Sequence, residues 1–297
     1  MKLTNSKLPL VSVIIPTYNH AHFLSRALQS VVSQNYANFE VIVIDNHSQD
    51  NTDEVVQRFA DSRVTLLKIH NNGVIASSRN MGIRAAQGEW IAFLDSDDWW
   101  LSNKLQICFD HINDKTDLIY HDLRIIREKP SLFQSKPFKS RRLNTPVLVD
   151  FLVNGNTICT SSVVVRKRLL DQIGGMNENP AIIAAEDYNT WLRIAQITDG
   201  FYHIPKSLGY YLLHGQGISR KDMSIPSRCA STSFVHILND KQKCRHESGL
   251  KYTKGRFAFV SQNYSIAREN LLFSACHGKP MIKLKSAWML IEMLLKF

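Results

Sequence analysis

No Cys-x-x-Cys pair occurs anywhere in the 297 residues. The five cysteines, Cys108, Cys159, Cys229, Cys244 and Cys276, are widely spaced and odd in number. That pattern indicates neither a zinc framework nor a disulfide scaffold. No apolar run reaches the roughly 20 residues that a membrane-spanning helix needs. Met1 to Leu8 is short and polar, without the apolar stretch of a secretory signal. The expectation is a cytoplasmic protein with reduced thiols. Gly-x-Gly-x-x-Gly does not follow the first strand-like run, and no Gly-rich turn ends in Gly-Lys-Ser/Thr, so a dinucleotide fingerprint and a P-loop are both missing. Internal repeats and low-complexity tracts are absent as well.

What is present is apolar enough, at 44%, to bury one large core or a core with a smaller appendage. The formal charge of +10 points to an anionic partner such as nucleotide phosphates or acidic lipid headgroups. Between His121 and Leu143 lie Arg124, Arg127, Lys129, Lys136, Lys139, Arg141 and Arg142 against Asp122 and Glu128. Such a run is by default a solvated loop. With no nucleic-acid module in the chain, the charge favours a membrane surface or phosphate over DNA or RNA.

The first hundred residues alternate between two periods. Leu10–Ile15, Phe39–Ile44, Val64–Ile69 and Trp90–Leu94 are short apolar, β-rich runs, which read as strands buried on both faces. Between them, His20–Gln34, Asn51–Ala60 and Val74–Gln87 carry helical patterns. Asn19 is placed to cap the first, Asn51 and Glu54 to form a capping box on the second, and Gly88 to stop the third. Strands separated by helices predict an α/β fold, a mostly parallel sheet in three layers. Ligands of such sheets bind beyond the strands' carboxyl ends, so Thr17, Asp45, Asp95 and Asp97 are expected on one rim. Further on, Asp117–Ile126 and Cys159–Val165 read as strands, Ile173-Gly174-Gly175 as a turn, and Glu186–Ile197 as a helix. Beyond Met223 the chain reads as helical.

Trp90–Leu94 runs straight into Asp95-Ser96-Asp97-Asp98. Alternation along a strand puts Asp95 and Asp97 on one face. Two carboxylates so placed repel each other unless a cation lies between them. An all-oxygen site suits Mg²⁺ or Mn²⁺, held by one or two carboxylates together with substrate phosphates.

Four segments carry a resemblance. Val11-Ser12-Val13-Ile14-Ile15-Pro16-Thr17-Tyr18-Asn19, Glu40–Thr52 with Asp45-Asn46-His47-Ser48-Gln49-Asp50, Ser78-Arg79-Asn80-Met81-Gly82 and Phe93–Asp98 resemble, in order and spacing, the family 2 glycosyltransferases of GT-A fold. The resemblance implies a nucleotide-sugar donor, UDP-linked, with Asp45 accepting a uracil N–H. It implies that Pro16, Thr17 and Tyr18 line the base, that Arg79 contacts base or diphosphate, and that Asp95 and Ser96 lie at the ribose. Asp97 would ligate a divalent cation, Mn²⁺ or Mg²⁺. Asn46 stands where the family often has a second acid, keeping an acceptor without the charge.

Glu186-Asp187 before Trp191-Leu192 is similar to the family's acidic pair ahead of an aromatic helix, which implies Asp187 as catalytic base and Glu186 as second candidate. Acids also complement the dipole of a helix's first turn. His214, in His214-Gly215-Gln216-Gly217-Ile218-Ser219, resembles the family's late His element and fits a metal ligand or a phosphate contact. Trp99 and Trp100 fit either a sugar-stacking wall or the core.

The resemblance implies a GT-A catalytic domain over 1–222, with a nucleotide-sugar half to about residue 100 and an acceptor half after it, followed by a helical region over 223–297. It also implies inverting transfer to a glycan or lipid-linked acceptor in bacterial surface polysaccharide synthesis. The segment Lys279–Phe297, apolar with Lys and Trp at its borders, fits a helix in a membrane interface, docked on the domain or paired with a second subunit. A peripheral place at the inner face of the cytoplasmic membrane follows as an expectation. The rival readings are a catalytically inactive nucleotide-sugar-binding scaffold, which retention of Asp97 and Asp187 disfavours, and a sugar nucleotidyltransferase, which would want a Gly- and Lys-rich turn after Ile15.

Overall fold

The computed structural model describes residues 8–59, 61–127, 137–215 and 221–295. The chain divides into two units: Met1–Arg142 with Ile158–Glu178 and Gly200–Gly215, and Leu143–Thr157 with Asn179–Asp199 and Gln216–Phe297.

In the first unit the apolar runs become strands. They are β1 (Val11–Thr17), β2 (Phe39–Asp45), β3 (Val64–Lys68) and β4 (Trp90–Phe93), all parallel, separated by α1 (Ala21–Val32), α2 (Thr52–Gln57) and α3 (Ile75–Ala85). All seven residues of β1 and all four of β4 are buried, which is why these runs do not alternate. Burial on both faces has a clear cause. Val11, Val13 and Ile15 join Leu24, Leu28 and Val31 of α1 in one cluster. On the other face α3 closes down at Gly82, where a Cβ would lie 2.7 Å from Ile14 Cγ2 and 2.8 Å from Ile44 Cδ1. The period of two along β1 thus serves a helix on each side, giving three layers.

The sheet continues through β5 (Trp99–Trp100), β6 (Leu118–Arg127), β7 (Pro137–Phe138), β8 (Val164–Arg166) and β9 (Phe201–Leu213). Its order is β3-β2-β1-β4-β8-β6-β9-β5, with β7 added on β6. Here pairing is mixed: β8 is antiparallel to β4 and β6, β9 is parallel to β6, and β5 is antiparallel to β9. Short helices α4 (Lys104–Asp110) and α6 (Lys167–Gln172) complete this unit. Two expectations change. Cys159–Val165 is not one strand, because Thr160–Ser162 form a 3₁₀ turn and only Val164–Arg166 pair. The longest strand among the described residues, β9, is interrupted in sequence by Pro205 and Gly209 and does not follow from the sequence pattern.

The second unit holds α5 (Val147–Asn154), α7 (Glu186–Ala195), α8 (Ser224–Ser231), α9 (Asp240–Val260), α10 (Tyr264–His277) and α11 (Pro280–Leu294). The helical reading beyond Met223 is what the structure has. A capping box of Asn239 and Gln242 starts α9. Ala258, Ala267, Leu271, Met289 and Met293 form a small core among α9, α10 and α11. No helix among the described residues is long and apolar enough to cross a membrane.

Candidate functional site

Parallel register builds the rim of the first unit. Thr17 of β1 stands beside Asp45 of β2, and Asp45 beside Lys68 of β3. Pro16 and Thr17 are buried while Tyr18 is exposed. Thr17 Oγ1 is buried without a hydrogen-bond partner, a costly state for a hydroxyl that a bound ligand would relieve. Asp45 is fully buried, accepts the Ser48 N–H at 3.0 Å and the Ser48 hydroxyl, and pairs with Lys68 Nζ at 3.1 Å. It closes a turn as well as ending a strand. Asn46 Oδ1 accepts the Asn71 N–H at 2.9 Å. His47, at φ 53°, stacks on His70 with ring centroids 3.7 Å apart.

The helix starts differ from expectation. Asn19 takes the left-handed conformation at φ 51°, and its side chain accepts the Gln49 N–H at 2.8 Å. The N–H of Ala21 goes instead to Asp50 Oδ2 at 2.9 Å, while Asp50 Oδ1 accepts the Thr52 N–H and hydroxyl. One carboxylate from the loop after β2 therefore serves the starts of both α1 and α2. The Asn51 side chain makes no cap. Burial raises the Asp50 carboxyl, but the hydrogen bonds from Thr52 and Ala21 outweigh it and hold it below the usual range.

Most of Ser78–Gly82 is framework. Ser78 Oγ accepts from Asn71 Nδ2 at 2.8 Å, and Asn80 exchanges hydrogen bonds with both backbone groups of Met176 at 2.7 and 2.8 Å. Gly82 is the close contact with the sheet. Arg79, 3% exposed, reaches the rim and pairs through Nη2 with Asp95 Oδ1 at 2.7 Å.

The acids after β4 lie in a turn rather than on the strand, since β4 ends at Phe93 and the Asp98 N–H donates to the Asp95 carbonyl at 3.0 Å. The turn still gathers charge. Asp97 Oδ2 lies 2.8 Å from His214 Nε2, so the turn and the residue after β9 meet there. Ser96 Oγ is 3.0 Å from His20 Nδ1, and Ser161 Oγ accepts the Asp95 N–H at 3.1 Å. Burial, with Asp95 adding to it, raises the Asp97 carboxyl above the ordinary range. Asp98 is pushed further by complete burial and by Asp97 and Asp95. Protein cations thus offset part of the repulsion, Arg79 at Asp95 above all.

Strand β9 makes the His214 contact possible. Its Leu212 N–H donates to Asp98 Oδ1 at 3.0 Å, and Trp99 and Trp100 of β5 pair with Tyr210 and Gly209. Gly209 is required there, because a Cβ would sit 2.9 Å from the Trp99 carbonyl oxygen. Trp100 is core, 3% exposed, with Nε1 donating to the Ser161 carbonyl at 2.7 Å. Trp99 stacks on Tyr210 at 4.8 Å and carries the Arg26 guanidinium 3.5 Å from its ring centroid, so protein already engages the ring. Gln216 to Ser219, the rest of the His214 motif, lies outside the described residues, as do Lys129 and Lys136 of the basic segment.

A profile of the family described as Glycosyl transferase family 2 matches residues 12–174. The chain belongs to glycosyl transferase family 2. The putative teichuronic acid biosynthesis glycosyltransferase TuaG of Bacillus subtilis is 39% identical over 283 residues, covering 91% of this chain and 100% of TuaG. The Escherichia coli protein named UDP-Glc:alpha-D-GlcNAc-diphosphoundecaprenol beta-1,3-glucosyltransferase WfgD is 47% identical over 98 residues, 33% of this chain and 39% of WfgD. The match spans between 39% and 62% of the length of several curated relatives, WfgD among them. The mannosyltransferase PcManGT from Pyrobaculum calidifontis, solved with GDP-Man and Mn2+, shares the fold at a TM-score of 0.60 and 18% identity, over 96% of this chain and 81% of that one. The fold is of GT-A type, with a helical C-terminal region.

The second acidic pair of this family 2 glycosyltransferase lies in the second unit. Ala184, at φ 71°, turns the chain into α7, whose first residues are Glu186, buried, and Asp187, half-buried. Asp187 accepts from the Tyr188 N–H at 2.6 Å and from Asn156 Nδ2 at 3.4 Å. Tyr188, Trp191 and Leu192 are buried behind it, and the Tyr188 hydroxyl donates to the Phe151 carbonyl at 3.0 Å. The apolar face of α7 therefore anchors its acidic end. Three groups escaped sequence reasoning: Asp50, Lys68 and Ser161. Each acts on a residue of another loop or strand, which local spacing does not display.

Proposed function

We propose that this chain transfers a sugar, with inversion, from a UDP-linked donor to a hydroxyl of a lipid-linked or glycan acceptor in bacterial cell-surface polysaccharide assembly. The observation that supports it most is the convergence on one rim of Thr17, Asp45, Arg79, Asp95 and Asp97, brought from β1, β2, α3 and the turn after β4, with His214 from the end of β9. The names of WfgD and TuaG favour surface polysaccharides, and WfgD's favours a UDP-sugar and a diphosphoundecaprenol acceptor.

In this reading Thr17 and Tyr18 bound the base, and Thr17 Oγ1 gains the partner it lacks. Asp45 retains lone pairs beyond those used by Ser48 and Lys68 and offers one to the uracil N–H. Arg79 steadies Asp95 toward the ribose and adds positive charge near the diphosphate. A divalent cation, Mn²⁺ or Mg²⁺, fits Asp97 and His214: a buried carboxylate raised by its neighbours is the kind that gains from one. Among the described residues no three His, Cys, Asp or Glu side chains gather to hold a metal alone, so substrate oxygens would complete its shell. When bound, it would supply charge compensation for the departing diphosphate.

Asp187 is assigned the base. It takes the proton of the acceptor hydroxyl while that oxygen bonds to the anomeric carbon, and the carbon–oxygen bond to the diphosphate breaks with its electron pair leaving on the diphosphate. A single carboxylate base and no protein nucleophile predict inversion, unlike the paired carboxyls of a glycosidase. The test is transfer from an α-linked UDP-sugar to a lipid-linked glycan acceptor, with the product's anomeric configuration read by NMR. A β-linked product that Asp187→Asn fails to make is expected. Retained configuration, or full activity in that variant, contradicts the assignment.

A further inference from the structure

Helix α11 is apolar on two opposite faces. One is used within the second unit: Ser286, Met289 and Met293 are buried, the methionines in the core with Leu271. The other carries Met281, Leu284, Trp288, Ile291 and Leu295, each between 56% and 82% exposed. Spacings of three and four residues place them in one stripe along about 22 Å of helix. A contiguous apolar stripe of this kind marks an interaction surface.

Charge decides what covers it. Residues 223–297 contain twelve Lys and Arg against four Asp and Glu, so they hold eight of the chain's ten net positive charges. Lys283 and Lys285 on α11 are exposed. A second copy would bring the same excess of positive charge against itself, whereas an anionic bilayer attracts it. The Trp288 ring, exposed in the middle of the stripe, suits the boundary between headgroups and acyl chains. The helix is too short and too basic to cross the bilayer, which leaves it lying in the plane of the surface.

We propose that α11 docks the protein on an anionic lipid bilayer, the Met281–Leu295 stripe entering the acyl boundary and Lys283 and Lys285 meeting lipid phosphates. The surface stands on α11 alone; only its purpose, bringing the second unit to a lipid-linked acceptor, rests on the function proposed above. The experiment is sedimentation of the full chain with phosphatidylcholine vesicles, with and without phosphatidylglycerol, in the absence of nucleotide. The comparison variant is Leu284→Ser/Trp288→Ser/Ile291→Ser, which leaves the buried Met289 and Met293 untouched. Wild type is expected to bind phosphatidylglycerol vesicles about tenfold or more tightly than neutral ones, falling with salt, and the triple variant to lose about tenfold or more with its melting temperature unchanged. Lys283→Glu/Lys285→Glu is expected to abolish the preference for anionic vesicles. Equal binding by the triple variant, or no binding of wild type, overturns the proposal. So does a wild-type dimer in light scattering that the triple variant dissolves, since a second copy would then cover the stripe. UDP-sugar binding, measured separately on the same proteins, keeps failure here distinct from failure of the catalytic reading.

Discussion

In the turn after β4, Asp95 pairs with buried Arg79, Asp97 contacts His214, and burial raises Asp97 and Asp98 together. At the head of α7, Asp187 is half-buried and touches an amide and a backbone N–H, with an aromatic face fixed behind it. Both places set acids beside an apolar run, three after β4 and two at the head of α7, and their settings differ. A crowded, desolvated carboxylate with a histidine at hand is suited to a cation. A half-buried carboxylate on a helix start is suited to taking a proton from a group that arrives from solvent. Residue type alone does not separate two such proposed roles, which is why their surroundings matter.

The largest effects should separate the two acidic clusters. Asp187→Asn is expected to lower transfer by about 10²–10⁴-fold while leaving UDP-sugar affinity intact. Asp97→Ala should remove transfer and the metal dependence of donor binding together. Calorimetry with both variants checks this, and equal loss of donor affinity in the two would dissolve the distinction.

Lys104, in α4 after the turn, sharpens the comparison. It is fully buried, lies 3.7 Å over the Trp100 ring, and has no hydrogen-bond partner at Nζ. Burial lowers its pKa from 10.5 to about 8. Between those values the unfolded chain holds a proton that the folded one has lost, so stability rises with pH across that window and the penalty is fully present below it. Lys104→Met is expected to gain up to about 3 kcal/mol near pH 7, to lose that rise in stability between pH 8 and 10, and to leave donor binding unchanged. Denaturant unfolding at several pH values checks it.

Gly82→Ala should cost about 1–3 kcal/mol, because Ile14 and Ile44 must move to admit a methyl group and α3 carries Arg79. The smallest effect belongs to the head of α7: Ala184→Gly relieves a left-handed alanine and should stabilise by up to about 1 kcal/mol. Thermal melts of both variants suffice.

The parallel half was legible because its strands are buried on both faces and its helices keep one period, so Val11–Thr17, Phe39–Asp45 and Trp90–Phe93 lie within a residue or two of where apolar runs placed them. The rim followed from the rule that parallel strands end together, and Thr17 beside Asp45 is that rule in register. What escaped reading depends on distant partners. Asp50 caps α1 from 29 residues away, and nothing near Asn19 announces it. Strand β9 pairs with β6 across register shifts near Asp122, so Pro205 and Gly209 interrupt its pattern without interrupting the strand. The acids after β4 come together by a turn rather than by strand alternation.

The most direct test of the account is thermal stabilisation by UDP-glucose with and without Mn²⁺, in wild type and Asp97→Ala. A ligand at about a hundredfold excess over Kd adds about 2.7 kcal/mol. The account predicts stabilisation of wild type that requires Mn²⁺ and disappears in Asp97→Ala. Stabilisation of the same size in both proteins, or none in wild type with UDP-glucose, UDP-GlcNAc or GDP-mannose, would contradict it.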